Sequence, residues 1–478
     1  MSIQRKSKGQ VFTPHYLVNM MLDFCGYQGD RILKKHVIDN SCGDGAFLVN
    51  IVRRYGQAFL VKNDNIEELR IELETYIHGI ELDDIAYHQC VKNLSIVAEQ
   101  FGLHDVRFDI RHADALTITD YNGRMDFVVG NPPYVRVHNL ANQYTQVKSF
   151  QFAQEGMTDL YLVFYELGLR MLSPDGLLCY IAPSSWLNSI AGGNMRTYIY
   201  ENKNLISVVD LCHFQPFGAT TYTMITLLDR QGRHNSIDYY TYDMTRNCPT
   251  FISTVGVQDM YINDGFYFST IENLRWLRQI LCTPVQRKAI VKNGYATLCD
   301  KVFISKFPFH DFVIPVVKAS TAEKAEAFYP YDANGKPFTK EEIFSHREVS
   351  EYLSKNKQRL LKRKDEQENP TWYLYGRTQG LLDTYQKKYA ISSIIKDVKS
   401  IKLRLCPEGT GVYGGLYILT DIDECVLRKI IFSEQFILYL HLLKEYKSGG
   451  YYTINSKKLE AYINYQIYAN ERSNTSSK

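Results

Sequence analysis

A short apolar run, Met125-Asp126-Phe127-Val128-Val129-Gly130, ends abruptly at Asn131-Pro132-Pro133-Tyr134. The run has the length and composition of a buried strand. Two prolines cannot continue a sheet ladder, and each holds the residue before it extended. The chain is therefore stiff and stretched at the carboxyl end of a strand, where open α/β sheets place their ligands. Asn131 offers a side-chain carbonyl, Pro132 a backbone carbonyl and Tyr134 a flat face. Two acceptors beside a stacking surface suit a planar exocyclic amine such as that of adenine.

From about residue 8 to 230, apolar runs of strand length alternate with helical patterns. Seven strands are expected near 37–40, 76–81, 106–111, 126–130, 177–182, 206–211 and 223–229. Helices are expected near 15–25, 44–55, 83–101, 159–172 and 189–201. The alternation predicts an α/β fold with a doubly wound, mostly parallel sheet and right-handed crossovers. Beyond about residue 245 the pattern changes to longer irregular stretches rich in Tyr, Lys and Gly, a second, mixed α+β domain. The expected division is 1–240 and 245–478.

Composition narrows the class further. No apolar run approaches the ~18 residues that a membrane helix needs. The basic start, Met1-Ser2-Ile3-Gln4-Arg5-Lys6, has no apolar stretch behind it and does not read as a signal peptide. Ten cysteines are scattered without a CxxC pair, so neither zinc nor a disulfide framework is expected, and reduced thiols in a cytoplasm are. Residues 1–240 hold 21 Lys+Arg against 26 Asp+Glu, whereas 241–478 hold 34 against 26. A basic second half beside an acidic first half implies that one part meets a polyanion.

Other strand ends carry chemistry too. The first leads into Asp39-Asn40-Ser41-Cys42-Gly43-Asp44-Gly45, whose glycines allow a tight turn and close approach by a ligand before a helix. The third glycine of a dinucleotide fingerprint is missing. The second strand ends Glu81-Leu82-Asp83; Glu81 is placed to accept from ribose hydroxyls and Asp83 to cap the next helix. The third leads to Asp114, which could accept from an adenine amino group.

Taken in this order, these residues resemble the gamma-class adenine-N6 DNA methyltransferases, the group that includes the TaqI modification enzyme. The resemblance covers roughly residues 8–230. Lys8-Gly9-Gln10-Val11-Phe12-Thr13-Pro14 is similar to the family's leading motif, and implies that Thr13 and Pro14 contact the amino-acid end of S-adenosylmethionine. Asp39, Cys42, Gly43 and Gly45 then lie in the loop around the methionine moiety, Glu81 holds the ribose, and Asp114 with Ala115 contacts the adenine. Asn131, Pro132 and Tyr134 match the catalytic tetrapeptide, with Asn131 also facing the cofactor. Asp159-Leu160-Tyr161 and Trp186-Leu187 resemble later motifs. Phe217, ahead of the last strand, matches the aromatic that stacks on the target base opposite Tyr134. The implied protein is a Rossmann-like methyltransferase that flips an adenine out of double-stranded DNA, acts as a monomer, and works beside a separately encoded restriction endonuclease, with no fused nuclease.

The second half is placed where such enzymes carry a target-recognition domain. Lys355, Lys357, Arg359, Lys362, Arg363 and Lys364 are candidates for phosphate contact. Arg377 and Gln379, in Trp372-Tyr373-Leu374-Tyr375-Gly376-Arg377-Thr378-Gln379-Gly380, are candidates for base contact. Strands are expected at 302–304 and 312–317, helices at 429–446 and 456–465, and an exposed loop at 330–345 with Asn334-Gly335 as its turn. Other readings are glutamine N5 methylation of a protein, adenine methylation of RNA, and an inactive DNA-binding subunit.

Overall fold

A computed structural model describes residues 13–137, 144–217, 221–363 and 370–476. The chain divides into two compact units, Met1–Arg275 and Trp276–Lys478.

The first unit is built on nine strands: β1 (Val37–Asp39), β2 (Ile77–Glu81), β3 (Asp109–His112), β4 (Met125–Gly130), β5 (Leu172–Pro183), β6 (Leu205–Asp210), β7 (Thr223–Asp229), β8 (Ser236–Asp243) and β9 (Cys248–Gly256). They form one sheet in the order β3-β2-β1-β4-β5-β7-β6-β8-β9. β1 to β5 pair in parallel. β7 slots between β5 and β6, antiparallel to both. All seven expected strands are present. β8 and β9 were not anticipated; they carry the sheet past the expected 240–245 division. Pro174-Asp175-Gly176 bulges within β5, where Leu172 pairs with Met125 but Leu177 pairs with Phe127.

The helices follow from spacing and caps. Pro14 accepts from the Leu17 and Val18 amides to start His15–Phe24, which buries Leu17, Val18, Met21 and Leu22. The helix Ala46–Leu60 buries Leu48, Ile51, Val52, Tyr55 and Phe59 at helical spacing. These side chains share one core with Val37, Ile77, Val129 and Ile181 of the strands. Asp83 caps Asp84–Glu99 by accepting from the Ala86 amide, 3.1 Å. The helix Ile66–Tyr76 was not expected, although Asn65 caps it by accepting from Glu67 and Glu68.

At the amino ends of the strands a polar chain ties three of them together. His36 Nδ1 lies 2.9 Å from His78 Nε2, and His78 Nδ1 lies 2.7 Å from Asp109 Oδ2, which also accepts from the Tyr121 hydroxyl at 2.9 Å. Burial alone would raise the Asp109 carboxyl, but the hydrogen bonds from His78 and Tyr121 and the charges beside it hold it at about 2.

The second unit is α+β. One antiparallel sheet orders Ala289–Asn293, Leu416–Thr420, Lys388–Ile391 and Leu403–Cys406; a mixed sheet orders Glu323–Phe328, Val313–Lys318 and Gly411–Tyr413, the last two paired in parallel. The strand expected at 312–317 is Val313–Lys318, and the helix expected at 456–465 runs Ser456–Ser476. Three expectations are corrected. Residues 302–304 end a single helical turn, Asp300–Phe303, with Val302 and Phe303 buried. The 429–446 helix is two, Glu424–Ile431 and Glu434–Leu443, because Ser433 breaks the run and caps the second through the Phe436 amide. The 330–345 segment turns at Asn334-Gly335 as expected, but closes with the helix Lys340–Ser345, fixed by a capping box of Thr339 and Glu342. Among the described residues, no helix is long and apolar enough to cross a membrane.

A carboxyl held low stabilises the fold above its unfolded value near 4, and that contribution is lost as pH falls toward 2. Asp109→Asn should therefore flatten the acid limb of stability between about pH 4 and 2. Urea unfolding of both proteins across that range checks this.

Candidate active site

Parallel pairing puts the carboxyl ends of β1, β2, β3 and β4 along one edge, with Asp39 opposite Gly79, Glu81 opposite His112 and Gly130 opposite Tyr180. Asp39, Glu81, Asp114 and Asn131 therefore leave the sheet at the same edge. Thr13 joins them from the start of the chain: the Asn131 side-chain amide donates to Thr13 Oγ1 at 3.1 Å.

Asp39 is 2% exposed, and its Oδ1 accepts from the Ser41 amide at 3.0 Å. Burial, against the Ser41 hydrogen bond and with Glu81 adding to it, pushes the carboxyl up to about 7. Gly130 has no side chain because this carboxylate occupies the space: a Cβ there would lie 2.7 Å from Asp39 Oδ1. The loop after β1 turns through Gly43 (φ 55°) and Gly45 (φ 90°), conformations that favour glycine, and Gly45 caps the helix Ala46–Leu60. Glu81 braces the loop, with Oε2 accepting from the Gly43 amide at 2.8 Å and Oε1 from the Asp83 amide at 2.7 Å. Asp114 Oδ1 accepts from the Leu116 amide at 3.0 Å, so this carboxylate caps the turn Ala115–Thr117. A carboxylate oxygen accepts more than one bond, so these contacts leave capacity for hydroxyl or amino donors. A cavity of about 380 Å³ opens beside the loop, lined by Thr13, His15, Asp44, Gly45, Asn50 and Arg53 among others.

The tetrapeptide is gripped from several sides. Ser41 Oγ donates to the Asn131 backbone carbonyl at 3.4 Å, and Pro132 is buried. The Tyr134 hydroxyl donates to the Ile181 carbonyl at 3.2 Å. Burial, with Tyr165 and Tyr161 adding, pushes this phenol well above its usual range. Its hydroxyl is an anchor, not a base. Past Tyr134, the chain pairs with the segment before the helix Leu160–Met171: the Leu160 amide donates to Val135 and the Val137 amide to Thr158. Tyr161 is buried, its hydroxyl 3.1 Å from Ser185 Oγ.

Phe217 lies where the sequence placed it, beside Tyr134, but not as a parallel second wall. The rings meet edge to face at 74°, centroids 6.2 Å apart, and Phe217 is 4% exposed. A base stacked on both rings needs centroids about 7 Å apart and parallel planes. Three further groups escaped the sequence reading. Ser41 holds the Asn131 carbonyl, and Leu82, 57% exposed, presents apolar surface directly after Glu81. The loop before β7 buries the Gln215 side-chain amide nitrogen with no partner among the described residues. Only Leu82 carried a signal, as an apolar residue past a strand end between two acids.

In the second unit, Lys355, Lys357, Arg359 and Lys362 are exposed on or just past the helix Arg347–Leu361. Arg363 is corrected: its guanidinium donates to the carbonyls of Leu360, Thr297, Leu374 and Trp372 and lies 5.2 Å over the Phe303 ring. Those donors are committed to the fold. Lys364 lies outside the described residues. Arg377 is exposed, Gln379 donates to the Gly294 carbonyl at 2.6 Å, and Trp372, Tyr373 and Tyr375 belong to a core.

A sheet in this order, with acids closing β1 and β2 and Asn-Pro-Pro-Tyr closing β4, defines the first unit as a Rossmann-like methyltransferase fold. Residues 55–217 match the model of the Eco57I restriction-modification methylase family. The type II methyltransferase M.PaeR7I of Pseudomonas aeruginosa is 28% identical over 236 residues, 48% of this chain and 41% of that protein. M.BanIII of Aneurinibacillus aneurinilyticus is 26% identical over 363 residues, 64% and 59% of the two chains. The matches thus span less than two thirds of these relatives. The type IIL restriction-modification enzyme MmeI, solved in complex with DNA, shares the fold with a TM-score of 0.62 at 14% identity, over 93% of this chain and 63% of that one.

Gly130→Ala drives a methyl group into the buried Asp39 carboxylate. A loss of about 1–3 kcal/mol is expected from overpacking at this site. Chemical denaturation of wild type and variant measures it.

Proposed function

We propose that the chain is a site-specific DNA methyltransferase that moves a methyl group from S-adenosylmethionine to N6 of adenine in double-stranded DNA, within a restriction-modification system. The observation that carries the reading is the Asn131 amide, held by Thr13 on the same edge as Asp39, Glu81 and Asp114. When bound, S-adenosylmethionine supplies an electrophilic methyl on a sulfonium. The residues present fit that group: a Cβ at Gly43 would meet nothing within 4 Å, leaving the loop open, and the acids beside it suit a cation and a diol. Asp39 faces positive charge, Glu81 the ribose hydroxyls, Asp114 the adenine amino group, and Leu82 covers a purine face.

The amine nitrogen of adenine is a poor nucleophile because its lone pair is delocalised into the ring. Asn131 Oδ1 and the Pro132 carbonyl each accept one amine hydrogen, which draws the nitrogen toward tetrahedral geometry and turns the lone pair out of the ring plane. The chain supplies positioning and stabilisation of the charge that develops on nitrogen. No residue of the tetrapeptide is a base, so the proton passes to water. A base inside a duplex cannot reach this edge and has to be rotated out of the stack. Stacking on Tyr134 and Phe217, about 1–3 kcal/mol each, offsets unpairing. The edge-to-face contact means Phe217 moves when the base enters. Residues 276–478 recognise the target, with Lys355, Lys357, Arg359 and Lys362 on phosphate and Arg377 near bases. A separate endonuclease cuts the same sequence when it is unmodified.

Incubation with labelled cofactor and plasmid DNA, followed by single-molecule mapping of modified bases, tests the reading. N6-methyladenine in one defined sequence is expected; label in RNA, in a protein glutamine, or nowhere overturns it. Asn131→Ala should lower transfer by about 10²-fold or more while DNA and cofactor affinity stay within a few fold. Because Asp39 protonates near neutrality, cofactor affinity should fall as pH drops below about 7, approaching about tenfold per unit. Calorimetric titration of wild type and Asp39→Asn between pH 6 and 8 checks this, with a flat profile expected for the variant.

A further inference from the structure

A small antiparallel sheet in the second unit has one packed face and one open face. It orders Ile394–Ile395, Tyr451–Thr453 and Tyr446–Lys447. Residues opposite each other across antiparallel strands share a face, and neighbours along a strand alternate. Ile395, Tyr452 and Tyr446 therefore share the packed face. Ile395 is fully buried, and the Tyr452 ring lies 4.7 Å from His441 and 5.6 Å from Tyr446 between centroids. The other face carries Ile394 with Thr453, and Lys447 with Tyr451. Lys396, one step past Ile395, returns to it, and its ammonium stands 5.9 Å over the Tyr451 ring. Ile394, Lys396, Lys447 and Tyr451 are all exposed.

The turn between the last two strands keeps this face low. Gly449 (φ 77°) and Gly450 (φ 81°) take left-handed conformations, and a Cβ at Gly450 would lie 3.3 Å from Lys396 Cε and 3.6 Å from its Nζ. The Lys396 stem thus crosses a glycine to reach the tyrosine. Holding a lysine this way costs rotamer freedom in advance, so its ammonium is preorganised for an anion. Among the described residues neither Lys396 nor Lys447 is ion-paired. The acids near them in sequence are engaged: Asp397 accepts from the Ser400 amide at 2.8 Å, and Glu445 pairs with Lys458. We infer that this open face is a phosphate-contacting surface for duplex DNA, with Lys396 and Lys447 each neutralising one phosphate and Tyr451 holding Lys396 in place. This rests on the reading of the chain as a DNA methyltransferase, and adds a surface separate from the lysines of the helix Arg347–Leu361. Contacts of this kind fix position on the duplex and carry no sequence information.

The test measures binding of the full chain, by fluorescence anisotropy, to a duplex bearing the mapped sequence and to an unrelated duplex, across about 50–200 mM salt. In the double variant Lys396→Ala, Lys447→Ala, the slope of log Kd on log salt should flatten by about two, close to one per lost phosphate contact. Affinity at about 0.15 M salt should fall about tenfold or more, on both duplexes alike. The double variant Lys396→Arg, Lys447→Arg keeps the charges and should keep the wild-type slope. At saturating DNA, kcat and KM for cofactor of the alanine variant should stay within about twofold of wild type. An unchanged slope in the alanine variant, with wild type binding duplex normally, overturns the proposal and leaves the DNA reading standing. A loss confined to the mapped duplex also overturns it, because the face would then read bases. So does a loss on RNA of the same sequence with DNA binding intact. Urea unfolding of each variant reports whether the fold is kept; if the alanine variant unfolds, Lys396→Gln with Lys447→Gln takes its place under the same slope criterion. Wild type that binds neither duplex removes the underlying reading, and the proposal with it.

Discussion

Parallel pairing of β1 with β2 and with β4 is the constraint on which the rest of the first unit depends. Parallel strands need helical crossovers, so their carboxyl ends collect on one edge and their amino ends on the other. Ile38 stands opposite His78 on one side and Val128 on the other, which brings Asp39, Glu81 and Asn131 to that edge within one register. A slip of one residue would turn the apolar side chains of β1 to the wrong face and carry Asp39 out of line with Gly130. The buried pair of Asp39 and Gly130 is thus both a product of the register and a lock on it.

The same division separates two kinds of polar chemistry. At the amino ends, His36, His78, Asp109 and Tyr121 satisfy one another and tie strands together. At the carboxyl ends, Asp39 is buried with its carboxyl pushed up toward neutrality, and Asn131 and Glu81 are braced by neighbours rather than by each other. A polar network that is internally complete stabilises; one that is arranged around a place for something else is a site.

Much of the first unit was legible because its signals are local. Asn-Pro-Pro-Tyr announces where β4 stops, Gly43 and Gly45 announce the turn after β1, and Asp83 announces a cap. β8 was not read because its inward positions are Ile237, Tyr239 and Tyr242, and the half-buried Tyr240 beside them blurs the alternation. The helix Ile66–Tyr76 was missed although Asn65 stood at its start. Arg363 shows why the second unit was harder. In sequence it is one of a run of bases, and only the fold reveals that it reaches four carbonyls. Likewise the aromatic run at 372–375 stands in sequence beside Arg377 and Gln379, candidates for base contact, and it is core. The pairing of Thr13 with Asn131 could not be read at all, since nothing in either segment encodes the other.

The edge-to-face contact of Tyr134 with Phe217 bears on selectivity against small molecules. In the resting protein the edge of one ring lies against the face of the other, so on the proposed reading a planar guest has to part them before it can stack on both. Separating the rings costs contact energy that a lone nucleoside, held by few other interactions, recovers poorly. A polymer anchored along its length can offset that cost with contacts made far from the reacting atom. On the proposed reading, a closed aromatic pair of this kind would act as a toll gate for molecular size.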